Sequence, residues 1–297
     1  MLPSAKLQIG PAGWSHPHWN ALVYPQPKPR GFHSLEFLSK YFNAIEITSS
    51  FHQDLRPEVT RLWIQKAGKN PGFQFTAKLH RRFTHERLLD SEGIAAFKAG
   101  LWPLLNTRRL GALLMQFPWS FRFTEENREF LIRLRRAFHE FPLVAEMRHV
   151  SWMRDEALGV FIDYNIGFCN IDQPTYTKAM PPTAFLTTGT GYVRLHGRSC
   201  FNWYQDNSDP LKSHRYDYLY SESELAEWAS RIERIARHAE RVFVITNNDA
   251  GGKAVVNALQ LQTMLGVGVT NAPKELLRKF PAAQSSLFTE YRGQAVA

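Results

Sequence analysis

Several apolar runs in this chain end in polar residues spaced for chemistry. Glu46 and Thr48 close AIEIT, Lys78 and His80 close FQFTAKLH, and Glu146 and Arg148 follow LVA. Asn170 and Asp172 close IGFCNID, Arg194 and His196 follow GYV, Gln116 ends LGALLMQ, and Thr246, Asn247 and Asn248 end RVFVITNN. Side chains two apart on a strand point the same way, so each pair offers two polar groups to one side. One buried charge left unpaired costs roughly 3–5 kcal/mol. Acids and bases recurring at the same end of so many runs must therefore meet in a wetted pocket or pair with each other. Glu46, Glu146 and Asp172 balance Lys78, Arg148 and Arg194 in charge, so an internally neutral plug stays open beside a functional mouth.

The mouth reading makes definite chemical predictions. Arg148 and Arg194 can grip a carboxylate, sulfate or phosphate through paired N–H donors, and Lys78 adds a point charge. Three cations predict a small anionic ligand, with Gln116, His149, Trp152, Asp172 and Asn248 as further contacts. Glu46, Glu146 and His196 are the candidate proton carriers, if their surroundings separate their pKa values. A divalent cation would find donors in Glu46, Glu146, Asp172 and His196, but the neighbouring cations repel it and no H-E-x-x-H motif is present. No metal and no cofactor is assigned. His16 and His18 form an H-x-H pair that reads as loop surface. Gly251, Gly252 and Lys253 stand between a strand and a helix, where barrels often take phosphate. They are not a P-loop, because Ala254 follows the lysine.

The elements that must position these groups alternate. Candidate strands are 6–10, 44–48, 73–79, 110–117, 143–148, 166–172, 191–197 and 241–248. Helical periodicity fills 34–42, 125–141, 154–164 and 223–240; the last carries Leu225, Trp228, Ile232 and Ile235 on one stripe. Strands alternating with helices imply parallel strands joined by right-handed crossovers. Eight such units predict a TIM-type (β/α)8 barrel, with an open doubly wound sheet as rival. The short, Pro-rich link from Asp172 to Gly191 predicts one degraded outer helix, and 198–222 reads as a long insertion after strand seven. That insertion interleaves Trp203, Tyr204, Tyr216, Tyr218 and Tyr220 with Lys212, His214 and Arg215. It reads equally as a stacking platform over the mouth or as a loop folded on its own rings. A single domain over 1–297 is expected, with 266–297 as closing helix and tail.

With 297 residues, 44% of them hydrophobic, the chain can bury a large core, and its formal charge of +9 favours an acidic partner. Two cysteines without metal or disulfide spacing suit a reducing compartment. The start MLPSAKLQIG lacks a signal-peptide core, and no run approaches membrane-spanning length. A cytoplasmic protein is expected.

GPAGWSHPHW, YFNAIEITSSFH, FTAKLHRRFTH, LLMQFPWSF, AEMRHVSW, YVRLHGR, RYDYLYSESEL and TNNDAGGKAVVNA occur in this order between about Ile9 and Leu265. Together they resemble the domain-of-unknown-function-72, or YecE-like, family. The resemblance implies a TIM-type barrel and no particular reaction. Departures fall at Thr48-Ser49-Ser50-Phe51-His52, where the family has Asn-Ser-Thr-Phe-Tyr, and at Trp119, where it has a second proline. The expected function is an enzyme acting on a small anionic or phosphorylated molecule, sugar-like ones included. A nucleic-acid-acting protein of the repair-phosphodiesterase type and a non-catalytic binding barrel are the alternatives.

Overall fold

The computed structural model describes residues 7–199, 216–267 and 272–280. Its strands are β1 Leu7–Pro11, β2 Ala44–Ile47, β3 Gln74–Lys78, β4 Leu110–Gln116, β5 Leu143–Glu146, β6 Gly167–Asp172, β7 Thr190–Leu195 and β8 Arg241–Thr246. All neighbours pair parallel, in the order β1-β8-β7-β6-β5-β4-β3-β2. Runs such as Leu110–Met115 are buried throughout, as strands covered on both faces must be. The sheet curls into a nearly closed (β/α)8 barrel.

Few β1–β2 backbone bonds close the seam, and a side chain supplies the rest. Asn43 Oδ1 accepts from Ile9 N at 2.8 Å, and its Nδ2 donates to Leu7 O at 2.8 Å. Above it, Gly13 N donates to Glu46 O at 2.9 Å and Ala12 bridges Glu46. Between these ties the backbones run so close that a Cβ on Gly10 would stand 1.8 Å from the Ala44 carbonyl oxygen. Gly10→Ala must therefore spread the seam. We expect a loss of roughly 1–3 kcal/mol, read by urea unfolding; a variant as stable as wild type would refute the tight seam.

Helix Glu222–His238 packs as its periodicity demands, burying Leu225, Trp228, Ile232 and Ile235. Its start is fixed by a capping box between Ser221 and Glu224. Residues 173–189, linking β6 to β7, hold no helix. They cover β6 as a strap instead. Asn170 clamps it by accepting from Phe185 N at 2.7 Å and Thr183 Oγ1 at 2.8 Å, and by donating to Phe185 O at 2.9 Å. A six-residue helix, Lys274–Lys279, follows the barrel. Among the aromatic-loop residues, Trp203, Tyr204, Lys212, His214 and Arg215 lie outside the described residues. No helix among the described residues is long and apolar enough to cross a membrane.

Candidate functional site

Alternation along the strands sends one set of polar side chains into the barrel, where contacts jump between strands that are not neighbours. Tyr192 on β7 donates to Glu46 Oε2 on β2 at 3.0 Å and contacts Thr76 Oγ1 on β3 at 2.9 Å. Arg194, two residues on, spans the interior: it donates to Glu46 Oε1 at 2.7 Å, Glu146 Oε2 at 2.6 Å, Gln116 Oε1 at 3.2 Å and Asn247 Oδ1 at 3.1 Å. Glu146 Oε1 also accepts from Arg148 Nε at 2.9 Å and Nη2 at 2.6 Å, and lies 3.2 Å from His196 Nε2. Asn247 Nδ2 lies 3.0 Å from His196 Nδ1. With Asn247 donating to Nδ1, the neutral ring carries its proton on Nε2 and directs it at Glu146.

Two carboxylates face two guanidiniums here, so the network is neutral. Burial alone would raise the Glu146 carboxyl, but Arg148, Arg194 and His196 hold it well below the usual range. Burial alone would lower Arg194; Glu46 and Glu146 hold it well above its ordinary value. His196 goes the other way. Burial, reinforced by Arg148 and Arg194 against the pull of Glu146, pushes it down to about 3, so it is uncharged at neutral pH. Such a network fixes geometry more than it lends stability, because desolvation consumes most of the Coulomb gain.

Above it opens a cavity of about 710 Å³, with Gln116, Arg148 and Asn247 in its floor and Lys78 and His85 in its wall. Phe51, Trp119, Tyr176 and Tyr216 bring rings to it. Glu46, Glu146, Arg194 and His196 lie beneath and do not line it. Lys78 differs from the other cations. Its Nζ sits 4.1 Å from the centre of the Phe51 ring and has no ion pair or hydrogen bond among the described residues. Burial, then Arg194 and Arg148, push its amine down to about 7 against the pull of Glu46 and Glu146. Burial with Lys78, Arg81 and Arg148 pushes His85 down to about 4. The Ser50 hydroxyl donates to Lys78 O at 2.7 Å, tying the end of β3 to the turn after β2.

The structure thus brings together Glu46, Lys78, Gln116, Glu146, Arg148, Arg194 and His196. It does not bring in the other expected contacts. Asp172 points out of the barrel to Arg198 Nε at 2.9 Å, because it shares the outward face of β6 with Asn170, two residues before it. Burial raises its carboxyl despite Arg198. Trp152 stacks on Phe121 at 5.4 Å and donates Nε1 to Phe121 O at 2.7 Å, a structural role outside the barrel. His149 turns to Ser151 Oγ at 2.8 Å and packs against Trp119. Asn248 binds Asn257 Oδ1 and Tyr218 O, both at 2.8 Å. Its neighbour Asn247 takes the inward place. Asn247 is two residues from Ile245 and four from Phe243, whose ring packs near inward-facing Tyr192, so strand parity carries it inward once the fold shows which face is inside. Phe51 and His85 carried no such signal, since they stand on turns.

A family model described as "Protein of unknown function DUF72" matches residues 8–284. The chain belongs to the DUF72 family. The match runs past the 9–265 span of the sequence motifs, into the segment after the last barrel helix. The chain is 28% identical over 288 residues to the UPF0759 protein YunF of Bacillus subtilis (strain 168), covering 91% of this chain and 99% of that one. A DUF72 family protein of Thermotoga maritima MSB8 superposes with a TM-score of 0.75 and 29% identity, over 88% of this chain and 99% of that chain. One from Enterococcus faecalis V583 gives 0.76 at 24% identity, over 88% and 95%, and supports the DUF72 fold alone.

Proposed function

We propose that this DUF72 barrel is an enzyme for a small molecule bearing a carboxylate or phosphate, held in the cavity above the Glu46–Arg194–Glu146 network. The observation that carries this is Lys78: an amine facing a cavity, with no carboxylate partner among the described residues, beside Arg148 in the floor. The acids of the cluster are already satisfied by guanidiniums, so the net charge at the cavity is positive, and an anion complements it. Arg148, locked at two points by Glu146, presents a preorganised cation. Lys78, poised near neutrality, suits proton transfer at the bound molecule. Glu46, Glu146 and His196 serve by holding Arg148, Arg194 and Asn247 in place.

Thermal-shift titration with phosphate, sulfate, small dicarboxylates and sugar phosphates tests the reading. At least one should raise the melting temperature of wild type, with binding roughly tenfold to a hundredfold weaker in Arg148→Ala, as expected for a lost charged hydrogen bond. If no such compound stabilises wild type more than a folded Arg148→Ala, the anion site is wrong.

The rings of Trp119, Tyr176 and Tyr216 at the cavity favour a second reading. With Arg122 5.1 Å from the Trp119 ring, they would stack on the bases of a nucleic-acid end. Fluorescence anisotropy with labelled single- and double-stranded DNA at low salt, where phosphate contacts are strongest, decides it; no measurable affinity there removes it.

A further inference from the structure

We propose that His16, His18 and Asp249 form a binding site for a first-row divalent cation of the zinc class, set in the wall of the same cavity. The H-x-H pair reads from sequence as loop surface; the fold adds a carboxylate to it. His16 and His18 flank the start of a single turn, Pro17–Trp19, after β1, while Asp249 follows β8. Because β1 and β8 are neighbours, the two loops lie side by side, and the Trp19 indole pins them by donating Nε1 to Asp249 O at 2.7 Å.

The donor atoms lie within 4.8 Å of one another, the only such trio of His, Cys, Asp or Glu among the described residues. Asp249 Oδ2 stands 3.1 Å from His16 Nδ1 and 3.7 Å from His18 Nε2. Two donors held at about 2.1 Å from a tetrahedral ion are roughly 3.4 Å apart, so these separations bracket what a shared ion requires.

The surroundings of His16 strengthen the case. Its Nε2 lies 3.0 Å from Ala12 O and its Nδ1 lies 3.1 Å from Asp249 Oδ2, so both ring nitrogens face acceptors. A neutral imidazole has one proton for the two. A second proton, or a metal ion at Nδ1 with the ring proton on Nε2, satisfies both. An imidazole that donates its far N–H to a backbone carbonyl is oriented as metal-binding histidines are. Gly13 keeps it there: at φ +75°, it lets the ring lie so close that a Cβ would meet His16 Nε2 at 2.6 Å. His18 Nε2 also lies 3.1 Å from Asp249 O, but Trp19 already serves that carbonyl, so His18 can turn its lone pair to an ion without orphaning it.

His16 and Asp249 line the cavity, and all three side chains are partly exposed. An ion held by three protein donors would therefore keep its remaining positions toward the cavity, the arrangement of a reactive rather than a structural site. The site is independent of Lys78 and Arg148, and the two assignments fail separately.

The test is titration of the chelator-stripped full chain with Zn²⁺ by calorimetry and with Co²⁺ by visible absorption, at about pH 8, where protons compete least. We expect one ion per chain, ligand-field bands for Co²⁺, and at least roughly tenfold weaker binding in each of His16→Gln, His18→Gln and Asp249→Asn. His139→Gln, at an exposed imidazole elsewhere, should bind as wild type does. His18 is the most exposed of the three, so its variant keeps the test valid if burial makes the others unstable. Absence of saturable binding, or an affinity that none of the three substitutions changes, overturns the site.

Discussion

Arg194→Met is expected to cost about 3–5 kcal/mol, lowering the melting temperature by roughly 10 °C. Arg194 is fully buried and joins two fully buried carboxylates, at 2.7 Å to Glu46 and 2.6 Å to Glu146. The two acids are not equally exposed to its loss. Glu146 keeps Arg148; among the described residues, Glu46 keeps the Tyr192 hydroxyl and no cation. Most of the penalty should therefore come from Glu46, and Glu46→Gln in the Arg194→Met background should restore part of the lost stability, although Glu46→Gln alone is destabilising. Such a sign reversal in a double-mutant cycle is what one uncompensated buried charge predicts. Arg194→Lys should not rescue, since one ammonium cannot reproduce a planar fork that reaches four strands. Urea unfolding of wild type, the two single variants and the double variant of the cycle, with Arg194→Lys beside them, measures it. If Arg194→Met melts within a degree or two of wild type, the network does not organise the barrel interior.

Lys78→Met should change the shape of the pH–stability curve. The amine titrates near 7 when folded, against an ordinary value of 10.5. Between these values the unfolded chain holds a proton that the folded chain has released, so wild-type stability gains from Lys78 as pH rises through the window. The gain is at most about 1.4 kcal/mol per pH unit, and water reaching the amine trims it. Below pH 7 both states are charged and the full cost of burying the ammonium is borne. Met bears none of it. The variant should therefore be more stable than wild type by a few kcal/mol at about pH 6, with the difference shrinking toward pH 9. His196 also titrates below its ordinary value, but it does so in both proteins and cancels. His85 loses the repulsion of Lys78 in the variant, which adds to the variant's advantage only below the ordinary imidazole value of 6.5 and leaves the window from 7 to 9 to Lys78 alone. Parallel curves would show that Lys78 is not held as an uneasy cation. The same pair reports on function: a bound anion favours the ammonium, so its stabilising effect on wild type should fade as pH rises above 7 and be much reduced in Lys78→Met at every pH.

Much of this was legible in the chain itself. Period-two alternation and eight apolar runs predicted a barrel, with an open doubly wound sheet as rival, and the polar ends at Glu46, Lys78, Glu146, Arg148, Arg194 and His196 named residues that the fold gathers inside it. The Pro-rich stretch 173–189 announced its missing helix. A strand's periodicity sorts residues into two faces but does not say which face is inward: Asp172, on β6, points out, while Arg148 and His196, just past the ends of β5 and β7, still point in. His149, Trp152 and Asn248 stand on the turns after their strands, where alternation carries no information, and each turns away.

Only the tertiary structure decided which charges are spoken for. A sequence counts acids against bases but cannot show that Arg194 takes both glutamates while Lys78 is left facing a cavity, because that depends on reach across the barrel. Asp172 makes the same point from the other side. It shares the strand-end signature, yet its parity sends it outward to Arg198. Pairings such as His16 with Asp249 join the two ends of the chain, and only closure of β1 against β8 makes them neighbours.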